Sequence, residues 1–124
     1  MSLELLVPVK KETLLGLTLM PKQILGKNIS IHTKNNGLPE LKGLTIALVG
    51  LHEYRNSFFH NSSYNVNQFR KVFYELYPGN WNLSIADLGD LPNGEKVEDT
   101  YFAIKEISIH LKQMNIIPIF IGGS

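Results

Sequence analysis

Two short apolar runs constrain this chain more than anything else in it. Leu44-Thr45-Ile46-Ala47-Leu48-Val49-Gly50 and Ile116-Ile117-Pro118-Ile119-Phe120-Ile121 do not alternate polar with apolar residues. A strand with one wet face alternates, so a run apolar throughout reads as a strand covered on both faces. Between the runs lie two stretches of helical period. Val66, Phe69, Val72, Phe73 and Leu76 recur at helical spacing, Pro78-Gly79 stops them, and Ser63 or Asn65 is the candidate cap. A longer helix runs from about Glu95 to Asn115, with Val97, Tyr101, Ile104, Ile107, Leu111 and Met114 on one face. Glu95, Glu98 and Asp99 suit the positive end of its dipole, Lys112 suits the negative end, and Asn115 suits a left-handed cap. A further short strand, Asn82 to Ala86, precedes this helix, with Asp87-Leu88-Gly89-Asp90 turning at its C-terminal end.

The order β-α-β-α-β with buried strands predicts an α/β fold: a parallel sheet joined by right-handed crossovers. Carrying the second crossover back over the first strand gives the order 2-1-3 and one helix on each face, a three-layer α-β-α sandwich. Residues 45–124 form this unit. Residues 1–44 are broken every few positions by Pro8, Gly16, Pro21, Gly26, Gly37, Pro39 and Gly43. They read as an irregular arm packed on the unit, holding a short helical turn or an edge strand.

Composition narrows the function. The 124 residues fit one small domain. A net charge of +1 provides no field to recruit nucleic acid or an anionic membrane. With no Cys there is no disulfide framework, thiolate zinc site or Cys nucleophile. No apolar stretch is long enough to span a bilayer, and Lys10 and Lys11 follow the first apolar residues instead of preceding them as in a secretory signal. The expected address is cytoplasmic.

Ligands of open parallel sheets gather at the C-terminal ends of the strands. Three segments fall there. The first, Leu51 to Asn61, holds His52, Glu53, Arg55, Asn56 and His60. His52, Glu53 and His60 are suitable metal ligands, but nothing in their spacing fixes a common face, and solvated loop residues are the favoured reading. The second holds Asp87 and Asp90, suited to a cation or to acid–base work. A structural role is favoured for them, with Asp87 capping local amides and Gly89 making the turn. The third is Gly122-Gly123-Ser124, where paired glycines permit positive φ or close backbone approach. His32 and His110 read as surface or boundary residues, and no Ser-His-Asp arrangement is apparent.

Together, Ile85-Ala86-Asp87-Leu88-Gly89-Asp90, the long helix, and Ile117-Pro118-Ile119-Phe120-Ile121-Gly122-Gly123-Ser124 resemble the N-terminal part of the ureohydrolase superfamily of arginase, agmatinase and formimidoylglutamase. Ile46 to Gly50 followed by Glu53, Arg55 and Asn56, and Glu98-Asp99-Thr100-Tyr101, look most like the formimidoylglutamase-type branch. The resemblance covers about residues 41–124. The stretch Asn61 to Gln68 lacks the Gly and Pro of the family's substrate-side loop. The resemblance implies a partial arginase-like fold and a parent enzyme that hydrolyses a guanidino or formimino C–N bond with two Mn²⁺ ions. It implies no metal ligand within this chain, because the family's first ligand would follow Ser124. The chain is then expected to be an inactive N-terminal fragment, with Glu53, Asn56, Asp87, Asp90, Gly122, Gly123 and Ser124 on the active-site face. A homo-oligomer formed through the third strand is also expected, since its family neighbour is missing. The alternatives are a non-catalytic α/β binding module and a ureohydrolase-like protein that has lost its metals.

Overall fold

The computed structural model describes residues 2–55 and 66–122. Four strands form one parallel sheet: β1 (Ser30–Ile31), β2 (Ile46–Leu51), β3 (Ile85–Leu91) and β4 (Ile117–Gly122), in the order β1-β3-β2-β4. The three expected strands correspond to β2, β3 and β4, and their spatial order is 2-1-3 as expected, although β3 shares only Ile85 and Ala86 with the expected 82–86. The arm supplies the edge strand expected of it: β1 lays two residues along the outer edge of β3. The arm also contains a short helix, α1 (Lys11–Leu15), and three 3₁₀ turns.

The helices take opposite faces of the sheet. Alternate residues of β2, Ala47, Val49 and Leu51, join Ala86, Leu88 and Leu91 of β3 in the main core. Over them lies α3 (Val97–Gln113), which buries Thr100, Ala103, Ile107 and Leu111. This stripe is rotated from the expected one, leaving Tyr101 and Met114 exposed. Ile107 and Leu111 are fully buried, worth about 1.5–3 kcal/mol each in removed apolar surface. The helix ends as the sequence implies. Asn115 is left-handed at φ 61°, the Ile116 N–H donates to the Leu111 carbonyl at 2.9 Å, and the Asn115 N–H donates to Lys112 at 3.0 Å. That pair of bonds is a Schellman closure, and it aims the chain directly into β4.

The other face is covered by α2 (Val66–Glu75) in an unexpected orientation. Its buried residues are Val66, Asn67, Arg70 and Tyr74, while Val72 and Leu76 are exposed and Phe69 and Phe73 only half-buried. The two phenylalanines stack on each other at 5.2 Å. The helix therefore turns polar and aromatic side chains inward, and the reason lies in β3.

Asp87-Leu88-Gly89-Asp90 is not a turn after a strand. All four residues lie within β3. Leu48 pairs with Asp87 and Gly50 with Asp90, so two residues of β3 oppose the single Val49. This is a β-bulge, with Gly89 at φ 90°. Side chains alternate along a strand, so residues three apart would normally face opposite ways. The extra residue reverses the parity, and Asp87 and Asp90 share the α2 face.

Candidate functional site

The two carboxylates meet at the C-terminal half of β3, and Arg70 reaches both from α2. Its Nε and Nη2 donate to the Asp87 oxygens at 2.7 and 2.9 Å, and its Nη1 donates to Asp90 Oδ1 at 2.7 Å. Nη1 also donates to Asn67 Oδ1 at 3.1 Å, which accepts from the Thr13 hydroxyl of α1 at 3.3 Å. The Tyr74 hydroxyl donates to Asp87 Oδ2 at 2.5 Å, and the Gly89 N–H donates to Asp87 Oδ1 at 3.0 Å. Asp90 Oδ2 lies 3.0 Å from His52 Nε2, just past the end of β2. Arg70 and Asp87 are 2% and 1% exposed, so this is a charged core and not a surface ion pair. Gly50 belongs to it, because a Cβ there would collide with the Asp90 carboxylate and with Val66.

Burial and charge oppose each other throughout the cluster. Burial would lower the Arg70 pKa, but the hydrogen bonds and charges of Asp87 and Asp90 outweigh it and hold the guanidinium protonated. Burial would raise Asp90, yet the His52 hydrogen bond and the Arg70 charge hold it below the usual carboxylate value. Tyr74 is pushed up, first by burial and then by the adjacent Asp87 charge. Every member is hydrogen-bonded, so the network positions α2, α1 and β3 against one another.

A second cluster fastens the segment after β2. Glu53 is 4% exposed and receives Arg55 Nε at 2.7 Å, Arg55 Nη2 at 2.5 Å and the Thr100 hydroxyl at 2.9 Å. Arg55 also donates to the Gly94 and Glu95 carbonyls at 2.9 and 3.0 Å, and the Thr100 hydroxyl accepts the Gly94 N–H at 2.8 Å. The Arg55 hydrogen bonds lower the Glu53 pKa to about 2 against the opposing effect of burial, and the same contact raises Arg55. The clamp ties the β2 exit to the first turn of α3.

These contacts sort the residues singled out in the sequence. His52 and Glu53 do not converge: His52 turns to Asp90, and Glu53 to Arg55 and Thr100. His60, Asn56, Ser63, Asn65, Gly123 and Ser124 lie outside the described residues. Asp87 does cap a local amide as expected, but Gly89 forms a bulge inside the strand instead of a turn beyond it. Gly122 has φ 96°, and a Cβ there would lie 2.6 Å from the Leu51 carbonyl oxygen. His32, read as a surface or boundary residue, is buried at 8% exposure with Nδ1 2.9 Å from the Leu88 carbonyl oxygen. It lies just past β1 and beside the bulge, whose Leu88 carbonyl faces the imidazole. No site role for Arg70, Tyr74 or Asn67 is legible in the sequence, and Thr100 enters it only within the Glu98–Tyr101 motif. The available signal was the placing of Asn67 and Arg70 inside an amphipathic helix whose neighbouring strand carries two aspartates.

The ends of three strands align here, with Gly50 opposite Asp90 and Leu51 opposite both Leu91 and Gly122. Among the described residues, no group of three or more His, Asp or Glu side chains is arranged to hold a metal ion. No described helix is long and apolar enough to cross a membrane. Comparison with protein families, with curated proteins and with solved structures finds no match to this chain.

Proposed function

We propose that the chain forms the N-terminal α/β part of a cytoplasmic, manganese-dependent ureohydrolase-type enzyme that cleaves a guanidino or formimino C–N bond, and that it is inactive by itself. The observation that supports this is the coincidence of the quoted motifs with one end of the sheet. The Asp87–Asp90 segment and the glycine end of β4 flank the exit of the central strand, where open parallel sheets bind ligands. The chain's own residues do not fit a two-ion centre. Asp87 and Asp90 are both engaged by the Arg70 guanidinium, and a divalent cation between them would meet that charge at contact distance. Glu53 is likewise engaged by Arg55 and Thr100. No step of hydrolysis is therefore assigned to these side chains. Their role is to hold the ends of β2 and β3 and the start of α3 in fixed relation beneath a site completed by other residues.

The same engagement of Asp87, Asp90 and Glu53 favours a second reading, a non-catalytic α/β binding module. The open reading frame past codon 124 separates the two. A His next and an Asp-x-His-x-Asp group further on, in a product that releases urea or formamide with Mn²⁺, uphold the enzyme reading. A stop codon overturns it in favour of the module, and a non-ligand residue points to a relative that has lost its metals. The 124-residue chain itself should show no stoichiometric Mn²⁺ binding in calorimetry and no turnover of arginine, agmatine or formimidoylglutamate. Binding abolished by Asp87→Ala with Asp90→Ala would refute the assignment of these carboxylates to Arg70.

A further inference from the structure

The arm leaves an open cleft between itself and the C-terminal half of α3. Its volume is about 600 Å³, within the range of small-molecule sites. Leu3, Leu6 and Leu41 give it an apolar floor continuous with the main core, and Met114 lines it from the turn after α3. The cleft is built within residues 3–114: β4 takes no part in it, and neither does any residue expected on the active-site face.

His32 is the polar group set most deeply into its wall. The backbone there is pinned on both sides, because the His32 N–H donates to the Asp87 carbonyl at 2.8 Å and its carbonyl accepts from the Val9 N–H at 3.0 Å. The ring is held by the Leu88 carbonyl, 2.9 Å from Nδ1. A carbonyl oxygen only accepts, so Nδ1 carries the hydrogen of that bond and the neutral ring presents a lone pair at Nε2. His32 is 8% exposed, yet Nε2 has no hydrogen-bond partner among the described residues. A buried acceptor of this kind calls for a donor. Nε2 is not sealed off inside the protein, and the cleft is the opening that His32 lines.

Charge selects the donor. Glu4 and Glu40 line the cleft together with half-buried His110, and no Lys or Arg is among its described lining residues. We propose that the cleft binds a small organic amine in its cationic form. The ammonium group donates to His32 Nε2 within the field of the two carboxylates, and the apolar body of the amine lies on Leu3, Leu6 and Leu41. This inference does not depend on the catalytic reading.

Phenethylamine is the probe, with phenethyl alcohol and hydrocinnamate as its neutral and anionic counterparts. In a chemical-shift titration at neutral pH the amine should bind about fivefold tighter than the alcohol, because a hydrogen bond from a charged donor is worth more than one from a neutral donor. Hydrocinnamate should bind more weakly than either. The amine should move the Nε2 resonance of His32 and leave that of Nδ1 in place. His32→Asn keeps an amide donor for the Leu88 carbonyl but deletes Nε2, and should weaken the amine about tenfold. Glu4→Gln with Glu40→Gln should weaken the amine about threefold and leave the alcohol unchanged. Circular dichroism checks the fold of each variant, and if His32→Asn does not fold, the Nε2 resonance of the unaltered chain decides alone. Amine binding that leaves Nε2 unmoved or survives His32→Asn overturns the proposal. Alcohol or hydrocinnamate binding as tightly as the amine overturns the ligand class, and no binding at millimolar amine overturns the site.

Discussion

Replacing Arg70 by Met tests the charged core most directly. The substitution keeps much of the apolar stem but removes the guanidinium, and with it three hydrogen bonds of 2.7–2.9 Å to Asp87 and Asp90 and one of 3.1 Å to Asn67. The carboxylates stay where the bulge puts them, 1% and 7% exposed. Asp87 keeps Tyr74 and the Gly89 amide, and Asp90 keeps His52, so neither loses every partner. What is lost is the cation buried between them. Breaking a buried pair by removing one partner costs about 3–5 kcal/mol, because the remaining charge is uncompensated. For a chain of this size that is roughly 10–20 °C in melting temperature. The sign of the pH effect follows. Without Arg70 the folded state holds two buried carboxylates whose charged form burial disfavours. Such groups favour low pH, so the deficit should be largest at neutral pH and shrink as pH falls toward the ordinary Asp value of about 4. Urea denaturation of both proteins at pH 7.5, 6 and 4.5 is the assay. Adding Asp87→Asn and Asp90→Asn to Arg70→Met should recover part of the loss at neutral pH. A deficit below about 1 kcal/mol, or one independent of pH, would refute a charged core and leave Arg70 as a packing residue.

Glu53 gives the opposite pH signature. Its folded pKa of about 2 lies below the ordinary 4.5, so its contribution is complete above the ordinary value and is lost as pH falls toward the folded one. Acid unfolding followed by circular dichroism should show that Glu53→Gln removes this part of the acid limb, whereas Glu98→Gln does not. Gly89→Ala should cost about 1–3 kcal/mol in backbone strain at φ 90°, plus displacement of Val7, whose carbonyl occupies the space a Cβ would need. Chemical denaturation measures the loss, and a neutral result would mean that the bulge is absent in solution.

The parts of this fold legible in the sequence are those set by burial on both sides. β2 is apolar because it is covered on both faces, and the Asn115 stop is legible because few residues adopt positive φ; β4, expected to be covered on both faces as well, is not, since Ile117 and Ile119 are 56% and 38% exposed. The orientation of α2 was hidden for the complementary reason. Its inward face is built from Asn67, Arg70 and Tyr74, residue types that ordinarily belong to the wet side, and only the aspartates on β3 reverse that preference. Those aspartates look like a turn because Gly between polar residues signals turns far more often than bulges. β1 contributes two residues to the sheet, too few to have a period. The Arg55 clamp depends on a hydroxyl, Thr100, that lies 47 residues from the carboxylate it donates to, and no local pattern carries such a pairing.

The sheet's connectivity also decides when each part of the chain can fold. β2 is the central strand, yet it is made before both of its neighbours. Its partner residues on β4 follow it by 71 positions, Ile46 against Ile117. At ribosomal rates of about 5–20 residues per second, β2 waits roughly 4–14 s after emerging before β4 exists. β3 arrives sooner, but its carboxylates need Arg70 in place before burial is favourable. The arm, although synthesised first, has nothing to pair with until β3 is present. The N-terminal segment therefore docks on the sheet only after β3 has formed. For several seconds this apolar strand has one open edge, and that edge is the chain's main aggregation hazard during synthesis.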